Sequence, residues 1–581
     1  MTLHALAGLG ALNLAFLVSG VALLWLVRGF DTWGDVARLG GLGYLTGVVA
    51  VGSTWTLLLI AGLSLSLALV LAVPIGIAVG CLLVGRRRGR PRPRLGDPRP
   101  STEALVVSAL ALAAVGVFLE AAFRSARLTG LYSWDAWAFW VPKAKAIYFF
   151  GGLDRQFFTL LPGSSYPPLV PVLDAAAFRL MGSPDVVTLH LQYWLFGLGF
   201  LWAVVGLLSV RVHAWILWPV VLLALTVPRV GLRLDIPEAD LFLDYLFVTA
   251  ALLVFLWLRE RQGWELVIAT ILLCGAALAK REGLLLVAVL MVAALLAGAR
   301  EMRAIWRPLL ASVCIVGIAA IPWRVWYIAH GVSGEAPEGG LLPSADTGRL
   351  WASLRLAVRV LFENGYWSVL APVAVGALVL AALARAWTTV VFFGTLIALV
   401  TLGGGWITWA IPELEITEEL GANPIVRFMG AAALLCVAAI PLLLTAAWPS
   451  TVRAPRAAVS RWSHPRLAAA IVVAIPMLAY PLGVLAADGT PRFPTRNECV
   501  QVATEDGPDL DVVYGRFGDP TAAERLLAAL TRVGFVGAAV ELDACGRWRV
   551  SYDAIESLAQ GEALAKQVRA AGFDARVELE S

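Results

Sequence analysis

Asp135 is the residue in this sequence whose surroundings best suit catalysis. Trp134 and Trp137 flank it, and Lys143 and Lys145 follow within the same segment. A carboxylate in a partly dry, aromatic setting can accept a proton from a hydroxyl group, and ammonium groups can stabilise a developing negative charge. We therefore predict a reaction site here, with Asp135 as the general base. Two alternatives stay open: an aspartate at a helix start often caps that helix, and lysines near a membrane often extend to lipid headgroups.

Two further cations lie far along the chain and are candidates for binding a phosphate group. Lys280 stands between two apolar stretches, with Glu282 close by, and Arg427 stands where another apolar stretch begins. An arginine can bind a phosphate with two parallel hydrogen bonds. Lys143, Lys145, Lys280 and Arg427 are therefore candidate ligands of an anionic group such as a phosphate. The alternatives are an ordinary polar turn in which Lys280 pairs with Glu282, and an interfacial anchor at Arg427.

An acidic cluster and several aromatic residues complete the candidate site. The cluster consists of Asp235, Glu238, Asp240 and Asp244. Asp240 and Asp244 are four residues apart and share one face of a helix, where they could hold acceptor hydroxyls or a divalent cation. The alternative is a solvated loop rim. Tyr166, before two prolines, is expected to shape the site. Trp134 and Trp137 either stack on a ligand or belong to an interfacial aromatic belt.

The elements that must position these residues are membrane-spanning helices. The chain has 581 residues, of which 60% are hydrophobic and only 15% are charged, with a mean hydropathy of +0.80. Apolar windows of about 18 or more residues recur, long enough to cross a bilayer, and backbone groups in lipid must be satisfied within a helix. We predict a polytopic α-helical membrane protein with spans at 4–27, 40–61, 64–85, 103–123, 187–210, 213–228, 240–258, 264–280, 283–299, 308–325, 369–386, 388–409, 428–447 and 466–486. If 40–85 is one bent helix instead of a hairpin, the number of spans falls from fourteen to thirteen.

Basic loops predict the orientation of these spans. The densest cluster lies at 86–94, and further arginines occur at 259–261, 300–307, 385 and 453–466. The alternating order of the spans places all of them on one side, which the positive-inside rule assigns to the cytoplasm. The outer face then receives 124–186, 229–239, 326–368, 410–427 and the tail from 487 onward. No cleavable signal peptide is expected, because no basic region precedes the first apolar stretch.

The tail differs in character from the rest of the chain. Strands are predicted at Leu510–Phe517, Phe535–Leu542, Arg547–Tyr552 and Ala575–Leu579, with helices at Thr521–Val533 and Ile555–Ala571. This order, βαββαβ, is typical of a small two-layer α+β domain. With its Tyr514-Gly515-Arg516-Phe517 strand end and Arg547–Val550 hairpin, the tail resembles the SPOR domain, which implies binding of peptidoglycan; the alternative is a cap without a ligand. An oxidising envelope favours a disulfide between Cys499 and Cys545, with two free thiols as the alternative.

Residues 101–450, with the outer loop 124–186, resemble a catalytic transmembrane core of the GT-C glycosyltransferases. The likeness is to the bacterial branch, family 39-like, that is related to protein O-mannosyltransferases and aminoarabinose transferase. It depends on the order of several motifs, which are Asp135 among aromatics, Tyr166-Pro167-Pro168, Ala239-Asp240, Leu278–Gly283 and Pro322-Trp323. Residues 1–100 are then accessory spans with a basic cytoplasmic loop, 451–490 the last cytoplasmic loop and final span, and 491–581 the SPOR-like domain.

The GT-C resemblance implies a function. It implies inverting transfer of a sugar from a polyprenyl-phosphate carrier to a glycan, lipid or protein acceptor of the cell envelope, at the outer face of a bacterial cytoplasmic membrane. The donor phosphate would then be bound by Lys143, Lys145, Lys280 and Arg427, and the acceptor or the sugar by Trp134, Trp137, Tyr166, Asp240 and Glu282. Membrane lipids are further expected partners, whereas a nucleic-acid partner is not expected.

Other classes of function remain as alternatives. No phosphate-binding Walker loop, zinc-spaced His/Cys set, GxSxG motif or dinucleotide-binding motif is present, and five histidines argue against His-centred metal catalysis. About fourteen spans are also typical of a transporter or lipid flippase, although no internal repeat is evident. A third alternative is an envelope scaffold that grips wall glycan through its tail.

Overall fold

A computed structural model describes residues 2–95, 102–126, 130–131, 133–332, 347–410, 425–447, 500, 502–504, 510–543, 547–555 and 557–579. The chain divides into two compact units, and each is considered by itself. The first comprises Met1–Phe123 and Leu131–Ala487, and the second comprises Arg124–Gly130 and Asp488–Ser581.

The first unit is helical throughout its described residues. Its helices are α1 Leu3–Val27, α2 Trp33–Arg38, α3 Gly40–Ile60, α4 Leu67–Arg87, α5 Thr102–Ala126, α6 Val141–Phe150, α7 Arg155–Leu160, α8 Leu169–Met181, α9 Val186–Leu208, α10 Ala214–Leu225, α11 Pro228–Arg233, α12 Ala239–Glu260, α13 Gly263–Ala279, α14 Glu282–Ala297, α15 Met302–Ala329, α16 Thr347–Leu361, α17 Asn364–Trp367, α18 Leu370–Leu383, α19 Trp387–Ala410 and α20 Ile425–Ala447. A π-helical turn at Ala136–Trp140 precedes α6, and a 3-10 turn at Ala299–Glu301 precedes α15.

The helices confirm a polytopic helical membrane protein. Within the described residues, nine helices are long and apolar enough to cross a membrane, which are α1, α3, α4, α5, α9, α12, α15, α19 and α20. Four shorter apolar helices, α10, α13, α14 and α18, accompany them. Together they overlap the first thirteen predicted spans; the span predicted at 466–486 lies outside the described residues. The structure separates α3 from α4, so the alternative of one bent helix over 40–85 is wrong.

Helix α12 lies at the centre of the unit. Every residue from 239 to 258 is buried, as expected of a helix that is apolar on all sides. Helices α9, α13, α14 and α20 pack around it. Asp240 and Asp244 are therefore placed in the first two turns of the most enclosed helix of the unit, where a charge is costly and usually functional.

The N-terminal helices belong to the same compact unit as the predicted catalytic core. Helix α3 packs on α9 and α13, and α1 packs on α8. A buried hydrogen-bonded group ties them: the Asn13 amide donates to Gln192 Oε1 over 2.8 Å, and the Tyr44 hydroxyl donates to Asn13 Oδ1 over 2.6 Å. Because these polar groups satisfy one another, they are tolerated inside the helix bundle.

The second unit contains the predicted α+β domain. Its elements are β1 Leu510–Phe517, α21 Pro520–Arg532, β2 Ala539–Leu542, β3 Trp548–Ile555, α22 Leu558–Ala570 and β4 Arg576–Leu579. The sheet is antiparallel in the order β2-β3-β1-β4, and Leu510, Val512, Val550 and Val577 form its core with Ala523 and Val568 of the helices. The predicted order βαββαβ is confirmed, although β2 begins four residues later than predicted. Cys499 and Cys545 lie outside the described residues.

Candidate functional site

Arg427 joins two predicted parts of the site. It is the third residue of α20, and its Nη1 atom contacts the carboxylate of Asp135, 292 residues earlier in the sequence. Its Nε atom lies 3.7 Å from Asp240 Oδ2. Asp135 is only 6% exposed, so this ion pair is largely shielded from water. The start of α20 and the first predicted outer segment therefore meet through opposite charges.

Asp135 does not cap a helix with its side chain. It stands just before the π-helical turn, but its carboxylate accepts no hydrogen bond from the amides of that turn. The capping alternative is therefore wrong, and the carboxylate is instead directed to Arg427. A π-helical turn inside or beside an α-helix often marks a functional position.

Lys280 extends the same charge network. Its Nζ atom donates to Asp240 Oδ1 over 2.5 Å and lies 3.7 Å from Glu282 Oε1. The residue occupies the break between α13 and α14 and is only 4% exposed. The expected pairing of Lys280 with Glu282 is thus present, but Asp240 is the closer partner. Asp240 consequently bridges the two predicted phosphate-binding cations, Lys280 and Arg427.

Glu238 ties the first predicted outer segment to the second. The Ser133 hydroxyl donates to one of its carboxylate oxygens, and Arg233 Nη1 donates to the other over 2.6 Å. Burial raises the pKa of Glu238, the nearby charge of Asp240 adds to this, and Arg233 opposes it. Because Ser133 lies two residues before Asp135, this contact helps to fix the loop that carries the proposed base.

The arginines of α11 are site residues that sequence reasoning missed. Burial, and then the charge of Arg233, lowers the pKa of Arg229 to about 10. Its Nε atom is buried without a hydrogen-bond partner in the part of the chain that the structure describes. A signal was available, because two arginines in a short segment predicted to be outside run against the positive-inside trend.

Tyr166 forms an aromatic wall beside Lys280. Its ring stacks on Trp140, with centroids 5.5 Å apart, and the Lys280 Nζ atom lies 5.5 Å from the ring centroid. Arg281 lies over the same ring at 4.8 Å. Burial raises the pKa of the Tyr166 hydroxyl, so the group stays neutral. Trp134 and Trp137 instead form an edge-to-face pair at 6.4 Å, and each is about half exposed.

An open cleft adjoins the charged network. Its empty volume is about 510 Å³. One end is charged and is lined by Asp240, Asp244, Lys280, Glu282 and Arg427. The remainder is apolar, formed by α12, α14, α19 and α20 through Leu243, Leu285, Leu286, Val289, Leu399, Val400, Gly403, Gly404, Ile407, Phe428 and Ala431. The cleft is therefore suited to an amphipathic ligand, with an ionic head at the charged end and an apolar chain along the rest.

Two predicted phosphate ligands are not part of this network. Lys143 is 1% exposed, and its Nζ atom donates to the carbonyl oxygens of Gly163 at 2.6 Å and Pro162 at 3.2 Å. Its ammonium group thereby holds the segment before Tyr166. Lys145, two residues further on α6, is half-buried and does not line the cleft. Neither lysine is brought to Asp135 by the contacts that join Lys280 and Arg427.

Asp135, Glu238, Asp240 and Glu282 each lie within ion-pairing distance of a cation. Among the described residues, no three His, Cys, Asp or Glu side chains are arranged to hold a metal ion.

Comparisons of the chain with protein-family models, with curated proteins and with solved structures find no match. The chemistry of the site is therefore inferred from its own residues.

Proposed function

We propose that this protein is an integral-membrane glycosyltransferase that moves a sugar from a polyprenyl-phosphate carrier to an acceptor at the outer face of a bacterial cytoplasmic membrane. The observation that carries the proposal is the cleft, which has cations at one end and apolar helix surface along the rest. One of these cations, Arg427, also contacts Asp135. A lipid phosphate and a general base would thus take part in the same transfer reaction.

The carrier phosphate would be bound by Lys280 and Arg427. Both cations are paired with Asp240. The Arg427 Nε atom lies 3.7 Å from Asp240 Oδ2, which is beyond hydrogen-bonding distance. A phosphate oxygen could take up this loosely used donor capacity with charge-assisted hydrogen bonds. The same cations would stabilise the negative charge that develops on the phosphate as the sugar leaves.

Asp135 would act as the base in a single inverting displacement. The acceptor hydroxyl oxygen attacks the anomeric carbon, the bond from that carbon to the phosphate oxygen breaks, and the hydroxyl proton passes to the Asp135 carboxylate. Before the donor binds, Arg427 holds this carboxylate. When the phosphate draws on Arg427, the carboxylate becomes available to the acceptor, so binding of the donor and activation of the base are coupled.

The aromatic residues and the tail are given supporting roles. Exposed Trp134 and Trp137 offer flat apolar surfaces on which sugar rings of the acceptor could stack. The rings of Tyr166 and Phe428 lie beside the Lys280 ammonium group and confine it. The βαββαβ domain resembles a SPOR domain and is proposed to lie outside the membrane and bind envelope glycan.

The test is carrier release by purified protein incubated with a panel of polyprenyl-phosphate sugars and envelope acceptors. Wild type is expected to release free polyprenyl phosphate from at least one donor, and Asp135→Asn is expected to be slower by about 10²- to 10⁴-fold. Asp154→Asn is the matched control, because Asp154 lies in the same predicted outer segment but caps α7, a role that asparagine fills equally well. Equal rates for wild type and Asp135→Asn would refute the assigned base.

A further inference from the structure

The basic loop at residues 88–95 has an ordered structure. It follows α4, and the guanidinium of Arg90 donates to three successive carbonyl oxygens at the end of α1. These are Leu26 at 3.0 Å, Val27 at 2.7 Å and Arg28 at 3.3 Å. Carbonyl groups at a helix end lack partners within the helix, so Arg90 satisfies three of them and fixes the loop.

Main-chain and indole hydrogen bonds fix the rest of the loop. The Trp25 indole donates to the Pro91 carbonyl over 2.9 Å. The amide of Arg94 donates to the Asp31 carbonyl over 2.9 Å, and the amide of Trp33 donates to the Arg94 carbonyl over 3.2 Å. The arginines of this segment are therefore presented on a defined backbone and do not lie on a free linker.

Five arginines of this segment, which we call the basic patch, are left for an external partner. They are Arg86, Arg87, Arg88, Arg92 and Arg94, and all are exposed. Within the part of the chain that the structure describes, none of them pairs with a carboxylate. Asp35, the acidic residue of neighbouring α2, is engaged by Arg38 at 2.7 Å and Arg28 at 3.7 Å.

The surroundings of the basic patch indicate what that partner is. Along α4, exposed apolar side chains continue to Leu82, Leu83 and Val84, and Arg86 follows within one helical turn. Such an apolar surface is suited to lipid tails, so the arginines begin where the tails end. Trp33 is 56% exposed and is bonded through its main chain to Arg94, which matches the preference of tryptophan for the headgroup level.

We propose that the basic patch is a binding site for anionic phospholipid headgroups, whose phosphodiester groups the five guanidinium groups recognise. The abrupt change from apolar α4 surface to arginine, with a tryptophan beside it, favours a lipid over an acidic polypeptide. The site lies on the face that the positive-inside rule assigns to the cytoplasm, and it does not depend on the proposed transferase activity.

The experiment places the full-length protein in bilayers of phosphatidylcholine with a minority of phosphatidylglycerol. After extraction in mild detergent, the retained lipids are quantified by mass spectrometry. Wild type is expected to retain phosphatidylglycerol well above its bulk share. The triple variant Arg86→Gln/Arg92→Gln/Arg94→Gln is expected to lose at least about fivefold of this enrichment, because arginines near a bilayer surface attract anionic lipids.

Two variants separate a structured site from diffuse charge. Arg300→Gln/Arg303→Gln/Arg307→Gln removes the same charge from another exposed basic segment and should leave the enrichment unchanged. Arg90→Lys keeps the charge but cannot satisfy three carbonyls, so it should weaken the enrichment while circular dichroism and gel filtration report a folded protein. Equal loss in both triple variants, or an unaltered Arg90→Lys, would overturn the proposal. Wild type that shows no enrichment but binds a polyglutamate peptide through these arginines would also overturn it.

Discussion

Partly buried arginines meet carboxylates in two regions of this protein, and the two networks differ in how completely their hydrogen bonds are made. In the α+β domain, Arg516 donates to Asp543 at 2.8 Å and to both oxygens of Glu578 at 2.9 and 2.5 Å. In the helical unit, Arg427 contacts Asp135 through one nitrogen and approaches Asp240 only to 3.7 Å. All three nitrogen atoms of the Arg516 guanidinium group donate hydrogen bonds to carboxylates, whereas, within the described part of the chain, only one nitrogen of Arg427 does so. Arg427 can therefore donate further hydrogen bonds.

The difference separates a structural ion pair from a site that can bind a ligand. A buried ion pair is tolerated when its geometry is good and its remaining hydrogen bonds are made, which Arg516 achieves. Around Arg427, Asp240 Oδ2 and Glu282 Oε2 are buried without hydrogen-bond partners among the described residues, and an open cleft adjoins them. Carboxylate oxygens accept hydrogen bonds, so these two atoms can receive hydroxyl groups of a ligand in the cleft, while the remaining donor capacity of Arg427 can meet an anion.

The largest expected effect is on activity in the open network. Arg427→Met should slow sugar transfer by about 10³-fold, because one of the two groups proposed to stabilise the leaving phosphate is lost. The free energy of unfolding should fall less than in Arg516→Met, because Arg427 donates a hydrogen bond to one carboxylate and Arg516 donates to two. Arg427→Lys should recover part of the rate. If the transfer rate and the thermal stability of Arg427→Met fell to the same extent, the contrast between the two networks would be lost.

The closed network should respond in stability. Arg516→Met leaves Asp543 and Glu578 buried without their shared cation, which should cost about 3–5 kcal/mol. Hydrogen exchange of β1 and β4 amides in the full chain measures this loss directly. Arg525→Met removes an exposed arginine of α21 and should change the protection by less than about 0.5 kcal/mol. Wild-type protection in Arg516→Met would show that the network is not structural.

Two buried lysines sharpen the same comparison inside the helical unit. Lys280→Met should weaken binding of polyprenyl phosphate by about 10- to 100-fold, as expected for one charge-assisted hydrogen bond. Lys143→Met leaves the carbonyls of Pro162 and Gly163 without a donor, so it should lower stability by about 1–3 kcal/mol and leave lipid affinity unchanged. A binding titration with both variants decides between them. Lower lipid affinity in Lys143→Met would restore that residue as a phosphate ligand.

A pH dependence of stability is expected at Asp235. Burial raises the pKa of this carboxyl to about 6, and its Oδ2 atom has no hydrogen-bond partner among the described residues. The stability that its neutral form contributes is complete below pH about 4 and is lost as the pH rises through about 6. Asp235→Asn should therefore be more stable than wild type by about 2–3 kcal/mol at pH 8 and no more stable at pH 4. Thermal unfolding at both pH values tests this; an equal difference at the two would contradict it.

The sequence predicted the helices and strands of this protein more accurately than the contacts between them. Apolar length predicts the spans because lipid requires it, and alternation with helical spacing predicts the βαββαβ order. The sequence also predicted that Asp135, Lys143, Lys145, Lys280 and Arg427 meet in one site, and the structure joins only Asp135, Lys280 and Arg427, the last two through Asp240. Contacts over such separations depend on how the helices pack, and no local pattern encodes them. For this reason Lys143 was expected to bind phosphate, although its ammonium group is used by two carbonyls.

The missed residues are of two kinds. Ser133 is unremarkable by type and matters only because its hydroxyl donates to Glu238. Arg229 and Arg233 could have been noticed as arginines in a predicted outer segment, but the contact of Arg233 with Glu238 depends on the packing. Gly403 becomes informative only when α19 is seen to form a wall of the cleft.

Binding of polyprenyl phosphate to wild type, Asp135→Asn and Gly403→Leu tests most directly whether the cleft and the ion network form one lipid-phosphate site. A side chain at Gly403 would start 3.7 Å from Leu285 without backbone strain, so leucine fills the apolar part of the cleft and leaves every charge in place; Gly403→Ala is the mild control. Wild type, Asp135→Asn and Gly403→Ala should bind the lipid, and Gly403→Leu should not. Equal affinity of Gly403→Leu and wild type would contradict the account.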